Sequence, residues 1–288
     1  MSEFQSLSEN AKELTDLQLS LDKLLGEDWK KRSLTSSKLL SAERAKKEVL
    51  SGEAKTEAEK SIVNLNTMFE THNSPYHAFS LDNKILIVGQ VGKDRFYHLA
   101  DSIEFHNSSA RWSAEKIWLM GEKGIFALHE LLGVDDEVVF NETPQRFDEN
   151  KQGYRLLEGK EIVSSLLPKD FEGMGTFFHE LGHLFRKRYI REKSHSMLVA
   201  HVEILEHFVS LSGVPHKKLT DHQIRKARAN EERGAWAVAI ALLEELYREV
   251  HIDCGFPEVV NIIKSHAEKA LESYDKIPFA HDEEKTIP

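Results

Sequence analysis

The sequence predicts an α+β fold that is mostly helical, with a small β-sheet in its middle and a helical extension at its N-terminus. Three observations carry that expectation. Apolar residues recur at spacings of three and four over much of the chain, as amphipathic helices require. β-Branched runs bounded by turn residues are short and confined to the region between residues 84 and 141. Asn73-Ser74-Pro75 separates an Ala-, Glu-, Lys- and Leu-rich stretch from the rest, which sets the expected division into an extension, 1–74, and a main domain, 75–288.

Within the extension, Leu14, Leu17, Leu21 and Leu24 form a short heptad-like stripe. Residues 42–68 read as a second helix with Glu57, Glu59 and Lys60 on its polar side, joined to the first near Leu34-Thr35-Ser36-Ser37. The stripe is too short for a coiled coil. It packs either on the rest of the chain or on a helical protein partner. After the boundary, residues 84–91 form an apolar, β-branched run held between Asp82-Asn83 and Gly92, a strand by composition. Residues 137–141 are a second strand candidate, and 124–128 read either way. Residues 142–153, with Pro144 and Asp148-Glu149-Asn150, read as a polar loop. Pro168-Lys169-Asp170 is a helix start signal with Asp170 as its N-cap. An amphipathic helix follows over 199–211, and a long apolar one over 230–246.

Composition limits the function classes. The 288 residues are 40% hydrophobic and 30% charged, ordinary for a globular protein with a polar arm. No run of 18 apolar residues occurs, and the N-terminus lacks a basic region followed by an apolar core, so neither a membrane span nor a signal peptide is expected. Cys254 is the single cysteine and cannot form an internal disulfide, which fits a cytoplasmic chain. There the glycosylation pattern Asn107-Ser108-Ser109 has no meaning. A net charge of −10 argues against a broad nucleic-acid surface. Arg186-Lys187-Arg188 and Arg225-Lys226-Ala227-Arg228 are local basic clusters and read first as solvated helix ends.

His179-Glu180-Leu181-Gly182-His183 is the segment richest in chemistry. Residues four apart on a helix share a face, so two imidazoles reach one metal ion and the intervening glutamate can act as a base toward water held there. With 15 histidines in the chain, roughly 0.1 such matches are expected by chance. The setting adds weight. Phe177, Phe178, Leu181, Leu184 and Phe185 are core-forming, and Gly182, unfavourable in a helix interior, suits the close approach of another backbone. A zinc site with Zn²⁺ on two histidines needs a third protein ligand. Arg186 and Tyr189 stand where the metzincin pattern has Gly and His, so that class is excluded. A glutamate from the 230–246 helix is the next solution. Glu232 is favoured because Ala235 and Ala239 share its face and would let the two helices lie close; Glu231 competes. His195, His201, His207, His216 and His222 are further alternatives, each read first as a surface or core histidine. Tyr189, His222 and Tyr247 are candidates for transition-state stabilisation.

The pair His179-Glu180-Leu181-Gly182-His183 and Glu232-Arg233-Gly234-Ala235-Trp236-Ala237-Val238-Ala239 resembles the ImmA/IrrE family of zinc metallopeptidase-like proteins, whose H-E-x-G-H motif is followed by E-x-x-A-N-x-F-A on a later helix. Trp236 stands where that family has Asn, and the gap from 184 to 231 is long for it. The resemblance spans about residues 170–245. It implies a zincin-like metallopeptidase domain with its metal-site core over about 168–250, His179, His183 and Glu232 as zinc ligands, and Glu180 as general base. It also implies hydrolysis of a regulatory protein or peptide substrate, such as a repressor or toxin–antitoxin partner. Without a helix-turn-helix signature, any link to DNA would run through a partner. The competing expectation is a non-catalytic interaction protein that binds a partner through its N-terminal helices.

Overall fold

A computed structural model describes residues 57–81, 84–133, 135–143, 153–157, 159–193 and 221–276. The leucine stripe of the extension, the 199–211 helix and His195, His201, His207 and His216 lie outside these residues. Along the chain run α1 (Glu57–Thr71), ten strands, then α2 (Phe171–Lys193), α3 (Asp221–Val250) and α4 (Pro257–Lys276).

The strands are β1 (Tyr76–Leu81), β2 (Lys84–Val91), β3 (Asp94–Ala100), β4 (Glu104–His106), β5 (Ser109–Ala114), β6 (Lys116–Met120), β7 (Ile125–Ala127), β8 (Asp136–Glu142), β9 (Gly153–Leu157) and β10 (Lys160–Leu166). They form two five-stranded sheets, ordered β1-β2-β3-β6-β7 and β4-β5-β8-β10-β9. The first is antiparallel throughout. The second is mixed, because β8 and β10 run parallel. This corrects the expected mostly helical fold with one small sheet: the described residues carry two full sheets beside four helices.

The strands expected over 84–91 and 137–141 are present, as β2 and within β8, and burial bears on why others escaped. β2 sends Ile85 and Ile87 into the main core and Leu86 and Val88 into a second apolar cluster with Phe79, Tyr97 and Trp118 on the opposite face. A strand buried on both faces lacks polar alternation, so β2 was legible only from its β-branched, apolar composition. β3 hides further behind polar letters, since Asp94, Arg95 and His98 are all buried. The Asp94 carboxylate accepts the backbone N–H groups of Asp253 (2.6 Å) and Cys254 (2.9 Å), tying the first sheet to the 3₁₀ turn Asp253–Gly255 between α3 and α4.

The main core joins both sheets to the helices. Phe177 of α2 meets Phe140 of β8 and Phe96 of β3, with ring centroids 5.5 and 5.2 Å apart. Leu65 and Phe69 of α1 belong to the same core, so the helix before the expected boundary packs with the strands after it. None of the described helices is long and apolar enough to cross a membrane.

Candidate metal centre

Local sequence sets the orientation of α2. Asp170 caps it: its Oδ1 accepts the N–H of Gly173 at 2.8 Å, as Pro168-Lys169-Asp170 predicts. Met174, Phe177, Phe178, Leu181 and Leu184 then bury one stripe against the core. That stripe fixes where the remaining positions point, and His179, Glu180 and His183 follow along one side.

α3 crosses α2 at Gly182. A β-carbon built there would stand 2.2 Å from the backbone oxygen of Ala235, so the two helices meet backbone to backbone. Ala235 and Ala239 are fully buried on the contacting face, and the small residues expected to permit this approach do so. Gly182→Ala should therefore cost a net 2 kcal/mol or so. Overpacking against backbone costs about 1–3 kcal/mol or more, and the better helix propensity of alanine returns only about 1. A thermal melt checks this; an unchanged Tm would mean the crossing can open freely.

The crossing brings three of the expected residues together. The Nε2 atoms of His179 and His183 are 3.3 Å apart. Glu232 Oε2 lies 3.1 Å from the first and 3.5 Å from the second. Among the described residues these three form the group whose geometry could hold a metal ion. The test of fit is geometric. Tetrahedral ligands about 2.0–2.1 Å from a zinc ion stand about 3.3–3.4 Å from one another. The observed sides bracket that value, and two imidazoles with one carboxylate are a normal zinc donor set.

The electrostatics point the same way. Burial opposes ionisation of Glu232, yet the imidazoles of His179 and His183 outweigh it and hold the carboxyl well below its usual range. Burial lowers the pKa of His179, and Glu232 only partly restores it. His183 is different. Burial disfavours its charge, but Glu231 and Glu232 together push it up to about 10, so with no cation present a proton on His183 balances the carboxylates. A divalent cation among the three atoms would take over that role.

Glu180 is buried beside them. Its pKa is pushed up to about 7, first by burial and then by the charge of Glu232, while His183 and the Tyr154 backbone N–H oppose the shift. A carboxyl that titrates near neutrality suits a general base better than an ordinary one.

Four neighbours complete the surroundings of the cluster. Glu231 accepts from His183 Nδ1 at 3.3 Å, on the far side of the ring from the cluster. The indole of Trp236 lies over His179, ring centroids 4.3 Å apart and 21° from parallel, where the resemblance led one to expect Asn. His266 of α4 meets the same indole edge-on at 5.9 Å. Tyr154 of β9 faces His183 at 6.2 Å, 16° from parallel. Tyr154 and His266 have no trace in any motif; Tyr154 falls just past a stretch read as loop. Tyr247 is placed elsewhere. It lies 15 residues beyond Glu232 on α3, roughly 22 Å along the axis at 1.5 Å per residue, and its hydroxyl bonds His251 Nε2 at 3.1 Å. The side chains of Tyr189 and His222 lie outside the described residues.

No family model matches the chain, and neither a curated protein nor a solved structure does.

Proposed function

We propose that the protein is a zinc-dependent metallopeptidase that hydrolyses a peptide bond in a protein substrate. The observation that carries this reading is the triangle of His179, His183 and Glu232, sized for zinc, with the buried Glu180 beside it. The resemblance to the ImmA/IrrE family supports it through the two helices and their motifs; the sheets take no part in that likeness.

His179, His183 and Glu232 would hold the ion. When bound, zinc supplies Lewis acidity, polarising a carbonyl and making a water more acidic. Glu180 accepts the proton of the attacking water and passes it to the departing amine. Its raised pKa lets it do both near pH 7. The buried Trp236 ring covers one face of His179 and keeps water from it.

β9 supports a peptide rather than a small substrate. It ends its sheet, with β10 on one side and no strand on the other among the described residues. Its Tyr154 N–H reaches Glu180, so this edge passes directly beside the cluster. An extended chain pairing with this edge would run past Glu180 and the three-residue cluster. Leu156 and Leu157 are exposed there, 55% and 49%, and offer apolar contacts to the substrate's side chains. A regulatory protein substrate and a cytoplasmic setting belong to the same proposal.

The test is capture. Wild type and Glu180→Gln are co-expressed with the cell's proteins, and bound partners are compared. The variant should retain an intact protein that the wild type releases as fragments. Identical uncut partners from both would end the peptidase reading and favour an interaction protein.

A further inference from the structure

Glu231 precedes a ligand of the proposed zinc site and is not one itself, yet it is held in place by more contacts than a solvated glutamate needs. Its Oε1 meets His183 Nδ1 at 3.3 Å. Its Oε2 meets Arg186 Nη1 at 2.6 Å, with both side chains largely buried, 12% and 17% exposed. The same Arg186 nitrogen donates to the backbone oxygens of Asn230 (2.9 Å) and Glu231 (2.7 Å). The guanidinium therefore reaches the backbone of α3 at Asn230 and Glu231. Gly234 makes room for it: a β-carbon there would stand 2.4–2.5 Å from Arg186 Nη1, Nε and Cζ. Four residues on two helices thus build one bracket behind His183.

We infer that Glu231, braced by Arg186 across Gly234, is a positioning residue that locks His183 with its Nδ1–H turned away and its Nε2 lone pair aimed at the metal. Histidine ligands are commonly oriented by a carboxylate on the second ring nitrogen, which fixes the tautomer and strengthens the donor. Arg186 has a second effect. Glu231 and Glu232 are adjacent carboxylates, and pairing the first with a guanidinium keeps it from swinging in to compete with the second. His179 lacks such a partner. Its Nδ1 has no hydrogen bond among the described residues, and the Trp236 ring lies over its face instead. The two imidazoles are therefore held by different means, and only His183 depends on the bracket.

This inference rests on the zinc reading above, and the experiment separates the two. The full-length protein is stripped of metal, and its zinc affinity is measured by competition with a chromophoric chelator, alongside the thermal stability of the metal-free form. Gly234→Ala is the discriminating variant. It touches no ligand, alanine is the better helix former, and the new methyl displaces only the far end of a flexible arginine. Its metal-free form should still melt cooperatively, at or somewhat below the wild-type Tm because the displaced guanidinium leaves Glu231 without its partner, while its zinc Kd weakens about tenfold, at the lower end of the 10–100-fold range for outer-shell changes. Glu231→Ala should weaken zinc by 10–100-fold, and Glu231→Gln by less, because an amide oxygen still accepts the Nδ1–H. Wild-type affinity in both Gly234→Ala and Glu231→Ala would overturn the inference while leaving the zinc site standing. Equal, complete loss of zinc in Glu231→Gln and Glu232→Ala would overturn it by making Glu231 a ligand. A wild-type protein that binds no zinc would remove the metal reading and this inference with it.

Discussion

Glu180→Gln is expected to retain zinc at wild-type stoichiometry and to lose about 10²–10⁴ in kcat, the usual contribution of a positioned acid–base group. The amide is nearly the same shape as the carboxyl, so the packing of Glu180 against β9 survives. It cannot accept a proton, so water attack and amine departure both lose their shuttle. Steady-state cleavage of the substrate captured by the variant itself measures the loss, and metal analysis of the same sample controls for site integrity. Cleavage within a factor of a few of wild type would remove Glu180 from the chemistry and leave the metal reading without its base.

His183→Ala should have the next largest effect, on metal and stability together. Zinc bound to the native state alone stabilises it by about 4 kcal/mol at a thousand times its Kd. Removing one of three ligands abolishes that gain, so the Tm of the variant should no longer rise with added zinc while that of the wild type does. The metal-free variant should also melt lower than metal-free wild type. His183, 11% exposed, sits between Glu231 and Glu232, and its loss leaves only Arg186 and His179 to offset the two carboxylates. A zinc-dependent Tm that persists in His183→Ala would place the ion elsewhere.

The site was far more legible than the fold, and the reason is range. His179 and His183 share a helix face by spacing alone, so four residues of sequence suffice to pair them. Gly182, Ala235 and Ala239 announced a close helix crossing because glycine and alanine are costly or wasteful choices unless backbone approaches. Between Glu231 and Glu232 the sequence could favour one but not decide, since successive helical residues point about 100° apart and only the partner helix determines which faces the imidazoles. The structure turns Glu232 to the cluster and Glu231 to Nδ1 of His183. Strands 84–91 and 137–141 were legible by composition, but their pairing into two sheets was not, for the opposite reason. β5 pairs with β8, and Trp112 meets Phe140 across 28 residues of chain that no local pattern connects. β8 and β10 are parallel with β9 looping between, a pairing set by long-range closure rather than by a hairpin turn. Tyr154 reaches the site only through that topology, which is why no motif pointed to it.

X-ray absorption at the zinc edge, on full-length protein loaded with one equivalent of zinc, tests the central claim most directly. The account predicts a first shell of nitrogen and oxygen at about 2.0–2.1 Å with the multiple-scattering signature of two imidazoles and no sulfur. The imidazole signal should fall by half in His183→Ala if that variant can be loaded at all. A shell containing the sulfur of Cys254, a six-oxygen hydrated shell, or an unchanged two-imidazole signal in His183→Ala would contradict a zinc centre at His179, His183 and Glu232.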